Sequence, residues 1–248
     1  MSRELAYFAP PLPHILAHRG LHVKASENSL RAFELALDAG ATHLETDVRC
    51  TRDGVPVLVH NSAIQTMFGV MRISEVAYVE LVEAAASQEL CTLKEALERF
   101  PTARFNIDVK ELRAVSATCA VVRDSGAENR VLLASFDEST RLEIRKSLPE
   151  VPTSASRRIV LQAMLFSAFG LRRALKLALA DVTALQVPVC FGPLPVINRR
   201  LIRRCHEEDI LIHVWTINEP AQMRRLLTLG VDGIVTDRCD LARTVQAE

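Results

Sequence analysis

The chain alternates short runs rich in Val, Ile and Leu with segments whose apolar residues recur every three or four positions. The strand-like runs are residues 14–18, 42–48, 104–110, 130–136, 152–156, 183–189, 210–217 and 232–237. Strands that alternate with helices favour parallel pairing through crossover helices. Eight such strands in 248 residues are typical of a closed (β/α)8 TIM barrel. The alternative is an open doubly wound sheet, but the chain has no GxGxxG turn to favour it.

The segments between these runs carry helix signals. Leu30, Phe33 and Leu37 lie on one helix face, and Gly40 follows as a residue suited to end that helix. A second helix with the same spacing is expected to end at Gly230. In both places the glycine is followed by a strand that carries an acidic residue at its carboxyl-terminal end, so the same helix–strand unit occurs twice in the sequence.

One run breaks the alternation. Residues 55–60 follow the strand at 42–48 after only TRDG, which is too short for a crossover helix, so we expect an antiparallel pair. Such a hairpin returns His60 to the carboxyl-terminal rim, where barrel enzymes place their chemistry. Residues 61–90 then form a small insertion or lid, and the whole chain, 1–248, is interpreted as one domain.

Composition excludes several classes of protein. The 30 basic residues balance 30 acidic ones, so the basic surplus typical of nucleic-acid binding is missing. No two of the six cysteines are closer than fifteen residues, which excludes CxxC redox motifs and the usual zinc spacings. The amino-terminal sequence lacks the pattern of a secretory signal, and no apolar stretch is long enough to span a membrane. We therefore expect a cytoplasmic protein with reduced thiols.

Carboxylates cluster on two of the expected strands. Glu45 and Asp47 are two residues apart, so both side chains point to the same face of their strand. Asp108 has the same relation to Asn106 and Lys110 on the next barrel strand. Burying like charges is costly without a cation. Three carboxylates at neighbouring strand ends therefore indicate a hard oxygen site for one divalent cation, Mg²⁺ or Ca²⁺.

Two histidines are expected at the same rim. His18 ends the first strand and His60 ends the returning hairpin, so the pair is interpreted as an acid and a base beside the carboxylates. Arg19 and Lys110 add positive charge that could hold an anionic phosphate. Together these residues predict metal-assisted attack on phosphorus.

Six motifs occur in the order seen in glycerophosphodiester phosphodiesterases. They are HRG (18–20), SENSLRAFELAL (26–37), LETDVRCTRDGVPVLVH (44–60), NIDVK (106–110), HVWTIN (213–218) and DGIVTD (232–237). The chain resembles this family over about residues 14–240, and the long motif at 44–60 is the most specific. The family fold is a (β/α)8 barrel, which agrees with the strand count.

The resemblance implies a role for each site residue. Glu45, Asp47 and Asp108 would hold the divalent metal, His18 and His60 would act as general acid and base, and Arg19 and Lys110 would hold phosphate oxygens. Glu27 would shape the glycerol side of the pocket, and Trp215 would form one of its walls. The implied reaction splits a small-molecule glycerophosphodiester into sn-glycerol 3-phosphate and an alcohol.

The chain departs from the family pattern in places. Asp108 stands where the family usually has Glu, so the shorter carboxylate must reach further to a metal. Asn61 stands where Asp is usual, SENS (26–29) replaces PENT, and QTMFG (65–69) lacks the common arginine. Two alternative functions remain open. One is phospholipase D-like cleavage of lysophospholipids or sphingolipids, and the other is a non-catalytic barrel that binds phosphodiesters.

Residues 157–204 carry nine basic residues and one acid around the apolar run 159–171. The favoured interpretation is a buried barrel helix flanked by solvated arginines. The alternative is a peripheral membrane contact, in which apolar residues enter the interface and arginines meet anionic headgroups. Of the remaining residues, His43 is interpreted as packed inside the barrel. Ser135, Phe136 and Asp137 follow a strand end and are interpreted as a loop cap, with a place at the border of the pocket as the alternative.

Overall fold

The computed structural model describes residues 5–66, 69–85 and 89–247. Its strands, in chain order, are β1 (His14–Ala17), β2 (His43–Cys50), β3 (Pro56–Leu58), β4 (Ala63–Thr66), β5 (Gly69–Arg72), β6 (Phe105–Val109), β7 (Val131–Ala134), β8 (Ala184–Pro188), β9 (Cys190–Phe191), β10 (Leu194–Pro195), β11 (Leu211–Trp215) and β12 (Gly233–Thr236). Its α-helices are α1 (Leu30–Asp38), α2 (Tyr78–Ala84), α3 (Leu93–Arg99), α4 (Val115–Asp124), α5 (Glu138–Ser147), α6 (Arg157–Phe169), α7 (Arg172–Leu179), α8 (Arg199–His206), α9 (Pro220–Leu229) and α10 (Cys239–Ala247).

The parallel strands curl into a closed barrel. From β1 the sheet runs through β2 and β6 to β7 on one side, and through β12 and β11 to β8 on the other. Two parallel bridges, Leu133 with Thr153 and Ser154 with Ala184, join the two ends. They place the expected strand at 152–156 between β7 and β8, where it is reduced to two bridging residues. The (β/α)8 barrel predicted from the sequence is confirmed.

Burial explains the apolar strands, and local capping explains where the helices begin and end. Every residue of β1, β6, β7 and β12 is buried, because the barrel interior covers one face of each strand and the helices cover the other. Ser29 caps α1 by accepting a hydrogen bond from the Ala32 backbone. Gly40 and Gly230 follow α1 and α9 with φ of 85° and 104°, a conformation that favours glycine.

The hairpin after β2 is confirmed. β3 pairs antiparallel with β2, with Val48 opposite Leu58. Beyond the strand, the Val59 backbone donates to the Asp47 carbonyl oxygen over 3.0 Å. The Arg49 guanidinium on β2 donates to the His60 carbonyl oxygen over 2.9 Å. These contacts fix His60 beside the carboxyl end of β2.

The insertion after the second barrel strand has its own small apolar cluster. β4 and β5 form an antiparallel hairpin, and α2 follows it. Side chains from both regions pack on the returning strand, and the buried members are Val57, Ile64, Ile73, Leu81 and Ala85. Residues 67–68, which belong to the QTMFG stretch, and residues 86–88 lie outside the described residues.

Three histidines, His14, His43 and His213, are buried inside the barrel. Gln186 Nε2 lies 3.4 Å from His213 Nδ1, His213 Nε2 lies 3.3 Å from His14 Nδ1, and His14 Nε2 lies 3.3 Å from the Pro10 carbonyl oxygen. Donation in one direction along this chain satisfies both rings as neutral imidazoles. His43 Nε2 donates to a main-chain carbonyl oxygen at 2.8 Å, which confirms its place as a packed barrel residue.

Helix α6 confirms the helix expected at 159–171 but corrects its burial. Ile159 and Val160 face the core, whereas Leu161, Leu165 and Phe169 are exposed. The expectation of a buried helix is therefore wrong for one face, because a helix that is apolar on all sides gives no periodicity from which to choose the buried one. None of the helices in the described ranges has the length and apolar character needed to cross a membrane.

Candidate active site

A cavity of about 200 Å³ opens at the carboxyl ends of the barrel strands. Its lining includes most of the predicted site residues, namely His18, Arg19, Glu45, Asp47, His60, Asp108, Lys110 and Trp215. The remaining predicted residue, Glu27, lines a neighbouring groove together with Asn61. Barrel closure thus brings together residues that are up to 197 positions apart in the sequence, from His18 to Trp215.

A tight turn after β1 presents the first histidine. Arg19 and Gly20 have φ of 55° and 81°. A Cβ atom at Gly20 would lie 2.7 Å from the Ala32 carbonyl carbon, so the HRG turn can pack against α1 only with glycine there. The turn also lets the Arg19 backbone donate to a Glu45 carboxylate oxygen over 2.9 Å.

The three carboxylates lie on two neighbouring strands. Glu45 and Asp47 are on β2, and Asp108 on β6 is directly opposite Asp47 in the parallel register. All three are buried. The Lys110 ammonium lies between two of them, 2.5 Å from Asp47 Oδ1 and 2.6 Å from Asp108 Oδ2. Lys110 therefore balances Asp47 and Asp108, while Glu45 makes no contact with it at this distance.

Burial and charge separate the pKa values of these groups. Burial raises the pKa of Glu45 well above its ordinary value, and the negative charge of Asp47 raises it further. Burial also raises the pKa of Asp108, against the opposing effect of Lys110. Burial acts to raise the pKa of Asp47 too, but contacts with His60 and Lys110 outweigh it and hold that pKa below its ordinary value. The cluster is therefore short of positive charge around Glu45.

Both predicted catalytic histidines contact an aspartate. His18 Nδ1 lies 2.7 Å from Asp237 Oδ1, and His60 Nδ1 lies 3.1 Å from Asp47 Oδ2. The Arg19 guanidinium also lies 2.9 Å from His60 Nδ1. One nitrogen cannot accept from Arg19 and donate to Asp47 at once, so the His60 tautomer decides which of these two contacts is a hydrogen bond.

The Arg19 guanidinium is held by several partners. Its Nη1 donates to Glu27 over 2.9 Å, and its Nε lies 3.1 Å from Asp47. Glu27 therefore orients an arginine that lines the cavity, although Glu27 itself lies in the adjoining groove. This arrangement keeps a positive charge beside the two histidines.

The residues that hold these side chains in place were not predicted from the sequence. Asp237 contacts His18, and Asn218 donates to Asp237 over 2.7 Å. Asn28 accepts from Thr46 over 2.7 Å beside Asp47. The sequence did contain a signal for these three residues, because Asn28, Asn218 and Asp237 all lie within the motifs that carry the family resemblance.

One wall of the cavity is apolar. Trp215 and Phe136 meet edge to face with ring centroids 5.8 Å apart. Ser135 also lines the cavity, whereas Asp137 caps α5 by accepting from the Thr140 backbone. The expectation of a loop cap is thus confirmed for Asp137 and wrong for Ser135 and Phe136.

In the described parts of the chain, no three His, Cys, Asp or Glu side chains are arranged so that they could hold a metal ion. The Lys110 ammonium lies between Asp47 and Asp108 and contacts an oxygen of each. The donors themselves suit a hard cation, and Asp108 Oδ1 is buried without a hydrogen-bond partner. The residues therefore fit a divalent cation in chemistry, provided that Lys110 moves.

Paired histidines, buried carboxylates and two cationic side chains at the carboxyl-terminal rim of a TIM barrel are typical of enzymes that act on phosphoric esters. Comparison of the sequence with protein families gives the particular group. Residues 18–241 match the glycerophosphoryl diester phosphodiesterase family, and the chain belongs to that family. Its relatives are phosphoric diester hydrolases, as predicted for this chain.

Individual relatives agree with this assignment. The chain is 35% identical over 235 residues to "Probable glycerophosphodiester phosphodiesterase 2" of Mycobacterium tuberculosis, covering 93% of this chain and 89% of that protein. A glycerophosphodiester phosphodiesterase from Thermotoga maritima superposes with a TM-score of 0.72 at 26% identity, covering 94% and 97% of the two chains. An Oleispira antarctica phosphodiesterase, solved with the product sn-glycerol-3-phosphate, has a TM-score of 0.76 at 22% identity, covering 96% and 98%.

Proposed function

We propose that this protein hydrolyses glycerophosphodiesters to sn-glycerol 3-phosphate and an alcohol, with His18 and His60 as its acid and base. The observation that supports this most is the meeting of the two histidines in one cavity beside three buried carboxylates. Each histidine also contacts an aspartate, as expected for groups that must be oriented for proton transfer. The product complex of the Oleispira antarctica relative supports the same substrate class.

One divalent cation, Mg²⁺ or Ca²⁺, completes the proposed site. Glu45, Asp47 and Asp108 would hold it, and it would supply positive charge to the phosphate when bound. The raised pKa of Glu45, caused first by burial and then by Asp47, supports a need for this charge. Lys110 and Arg19 would then hold phosphate oxygens, since both line the cavity.

The histidines would divide the two proton transfers. One accepts a proton from the attacking water as the water oxygen bonds to phosphorus. The bond from phosphorus to the alcohol oxygen breaks, and the other histidine donates a proton to that oxygen. Because Asp237 contacts His18 Nδ1, the nitrogen of His18 that would take part in the proton transfer is Nε2.

The same site would accommodate different alcohol groups. Glu27 and Asn61 would border the glycerol side through the neighbouring groove, and the insertion at 61–90 would contribute to selectivity. Phe136 and Trp215 give the cavity an apolar wall. This wall is the observation that supports a second candidate, the phospholipase D-like cleavage of lysophospholipids or sphingolipids.

Product analysis tests the proposal. Purified protein with Mg²⁺ or Ca²⁺ is incubated with glycerophosphocholine, and both halves of the substrate are quantified. We expect equal amounts of sn-glycerol 3-phosphate and choline. Release of glycerol and phosphocholine would place the cleaved bond on the other side of phosphorus and overturn the proposal, as would no release from any diester of a substrate panel. Lysophosphatidylcholine in the same panel tests the second candidate.

His18→Ala provides the inactive reference for this assay. The matched control is His206→Gln, because His206 lies on α8 outside the cavity and pairs with Asp232. We expect His206→Gln to keep the wild-type products and rate. A loss of rate in both variants would point to unfolding, which thermal melting of each variant detects, and an unchanged rate in both would point to a contaminating enzyme.

A further inference from the structure

Helix α6 exposes an apolar stripe. Leu161, Leu165 and Phe169 are four residues apart and therefore lie on one face of the helix, with exposed fractions of 52%, 52% and 72%. The opposite face is already buried through Ile159 and Val160. The stripe is thus additional to the residues that attach α6 to the barrel.

Cationic side chains bracket the stripe. Arg157 and Arg158 precede it, and Arg172 and Arg173 follow it on α7. All four are exposed, and within the described ranges none lies within 4 Å of a carboxylate, although Arg158 and Arg172 are close enough to lower the pKa values of Glu138 and Glu207. Their segment, 157–204, has nine basic residues and one acid in a chain whose 30 basic and 30 acidic residues balance only as a whole.

The surface continues from α6 onto α7. Leu177 on α7 is 78% exposed, although Leu175 and Leu179 on the same helix are buried. Large apolar residues that are exposed together on neighbouring helices, with cations at their margins, are typical of interaction sites. We call this region, formed by α6 and α7, the α6–α7 surface.

The α6–α7 surface begins at the mouth of the active-site cavity. Ser156 caps α6, and its neighbours Ser154 and Ala155 line the cavity. The Arg157 backbone donates to the carbonyl oxygen of Phe136, whose side chain is exposed at the apolar wall. The amino-terminal end of α6 therefore lies next to the entrance used by the substrate, and the stripe extends away from it along the helix.

We propose that the α6–α7 surface docks on an anionic phospholipid bilayer. A helix face with large apolar residues enters the headgroup region, while arginines at its two ends contact anionic lipids. The charge distribution favours lipid over a second copy of this chain, because a twofold contact would place the same unpaired arginines against each other. Docking would hold the cavity mouth at the bilayer surface, independently of which diester is cleaved.

Vesicle sedimentation tests the docking surface without using activity. Wild-type protein is mixed with phosphatidylcholine vesicles, with or without roughly 30% phosphatidylglycerol, in about 50 mM and about 500 mM salt. We expect binding only to the anionic vesicles, and weaker binding at the higher salt. Arg172→Gln and Arg173→Gln should each lower the partition coefficient about fivefold, and Leu165→Ser with Phe169→Ser should lower it further.

Two matched controls replace residues outside the α6–α7 surface. Val79→Ser removes an exposed apolar side chain from α2, and Arg31→Gln removes a cation from α1, on the opposite side of the barrel. Both should bind like wild type. Absent binding to anionic vesicles at low salt, or equal binding by all variants, would overturn the proposal. So would a dimer in light scattering that Phe169→Ser dissociates, because a second copy would then cover the surface.

Discussion

His18 Nδ1 lies 2.7 Å from Asp237 Oδ1, which links the end of the first barrel strand to the segment after the last. Asn218 fixes this carboxylate by donating to its other oxygen and accepting from the Asp237 backbone. Burial acts to raise the pKa of Asp237, but contacts with His18 and Asn218 outweigh it and lower that pKa to about 2. A charged Asp237 keeps a proton on His18 Nδ1 and leaves Nε2 for the substrate.

Asp237→Asn is expected to lower kcat by about 10²–10⁴ with little change in KM. The amide has the shape of the carboxylate, so the fold should persist. It can donate to Nδ1, however, and would then stabilise the wrong His18 tautomer. Steady-state kinetics across a pH series measure both the loss and any change in the pH profile.

The control for this variant is Asp240→Asn. Asp240 lies three residues further on and pairs with Arg238 at the surface, so its loss should leave kcat unchanged. If Asp237→Asn also kept near wild-type kcat and pH profile, Asp237 would have no positioning role for His18.

His18→Ala and His60→Ala are each expected to lower kcat by about 10²–10⁴. The double variant should lose less than the product of the two single effects, because an acid and a base that serve the same reaction act as a unit. Rapid-mixing or endpoint assays with high enzyme concentration can quantify the residual rates. Strictly multiplicative losses would contradict a concerted pair, and an active single variant would make that histidine structural.

Glu45→Gln is expected to raise thermal stability in the presence of a chelator. Burial, with Asp47, raises the folded-state pKa of Glu45, so its stabilising protonation is lost as pH rises through that value. At neutral pH folding must therefore either bury the Glu45 charge or bind a proton to it, and the neutral amide removes this cost. About 1 kcal/mol would raise Tm by about 2–4 °C.

The same variant should lose the stabilisation that Mg²⁺ or Ca²⁺ gives the wild type. Thermal melts in EDTA and in each cation provide this comparison without an activity assay. Asn106→Asp is a useful contrast, because it adds a carboxylate on the face of β6 that carries Asp108. A lower Tm for Glu45→Gln in EDTA, or an unchanged response to both cations, would contradict a cation site at Glu45.

The strand order and the histidine pair were predictable because they depend on local spacing. TRDG is too short for a helix, so the hairpin that positions His60 follows from the sequence. The side chains of Glu45 and Asp47 share a strand face for the same reason. The family motifs then indicated which local features meet at the rim.

Long-range partners were not predictable from spacing. Asp237 meets His18 only because β1 and β12 pair when the barrel closes, and 219 residues separate the two. Lys110 was expected to hold phosphate, but its contacts with Asp47 and Asp108 depend on the burial of both carboxylates. The exposed face of α6 was not predictable, because the apolar run that forms this helix has no periodicity. Which side of such a helix is buried depends on how it packs against the neighbouring helices.

The buried histidines predict a loss of stability in mild acid. Burial is the largest cause of the shift at all three histidines. It lowers the pKa of His43 to about 3 and holds the pKa values of His14 and His213 below 6.5. The unfolded chain therefore binds more protons than the folded one once pH falls below about 6.5, and stability falls with it. Each histidine contributes a slope of about 1.4 kcal/mol per pH unit while its folded form stays neutral.

His43→Gln tests this origin of acid sensitivity. The glutamine amide can replace the hydrogen bond from His43 Nε2 to the Tyr7 carbonyl oxygen but cannot gain a proton. Urea unfolding at about pH 7, 6 and 5 should show a shallower slope of stability against pH, with a difference that approaches about 1.4 kcal/mol per unit only below about pH 6. Equal slopes for His43→Gln and wild type would show that His43 is protonated in the folded protein or that acid acts elsewhere, since carboxylates with ordinary pKa values titrate mainly below this range.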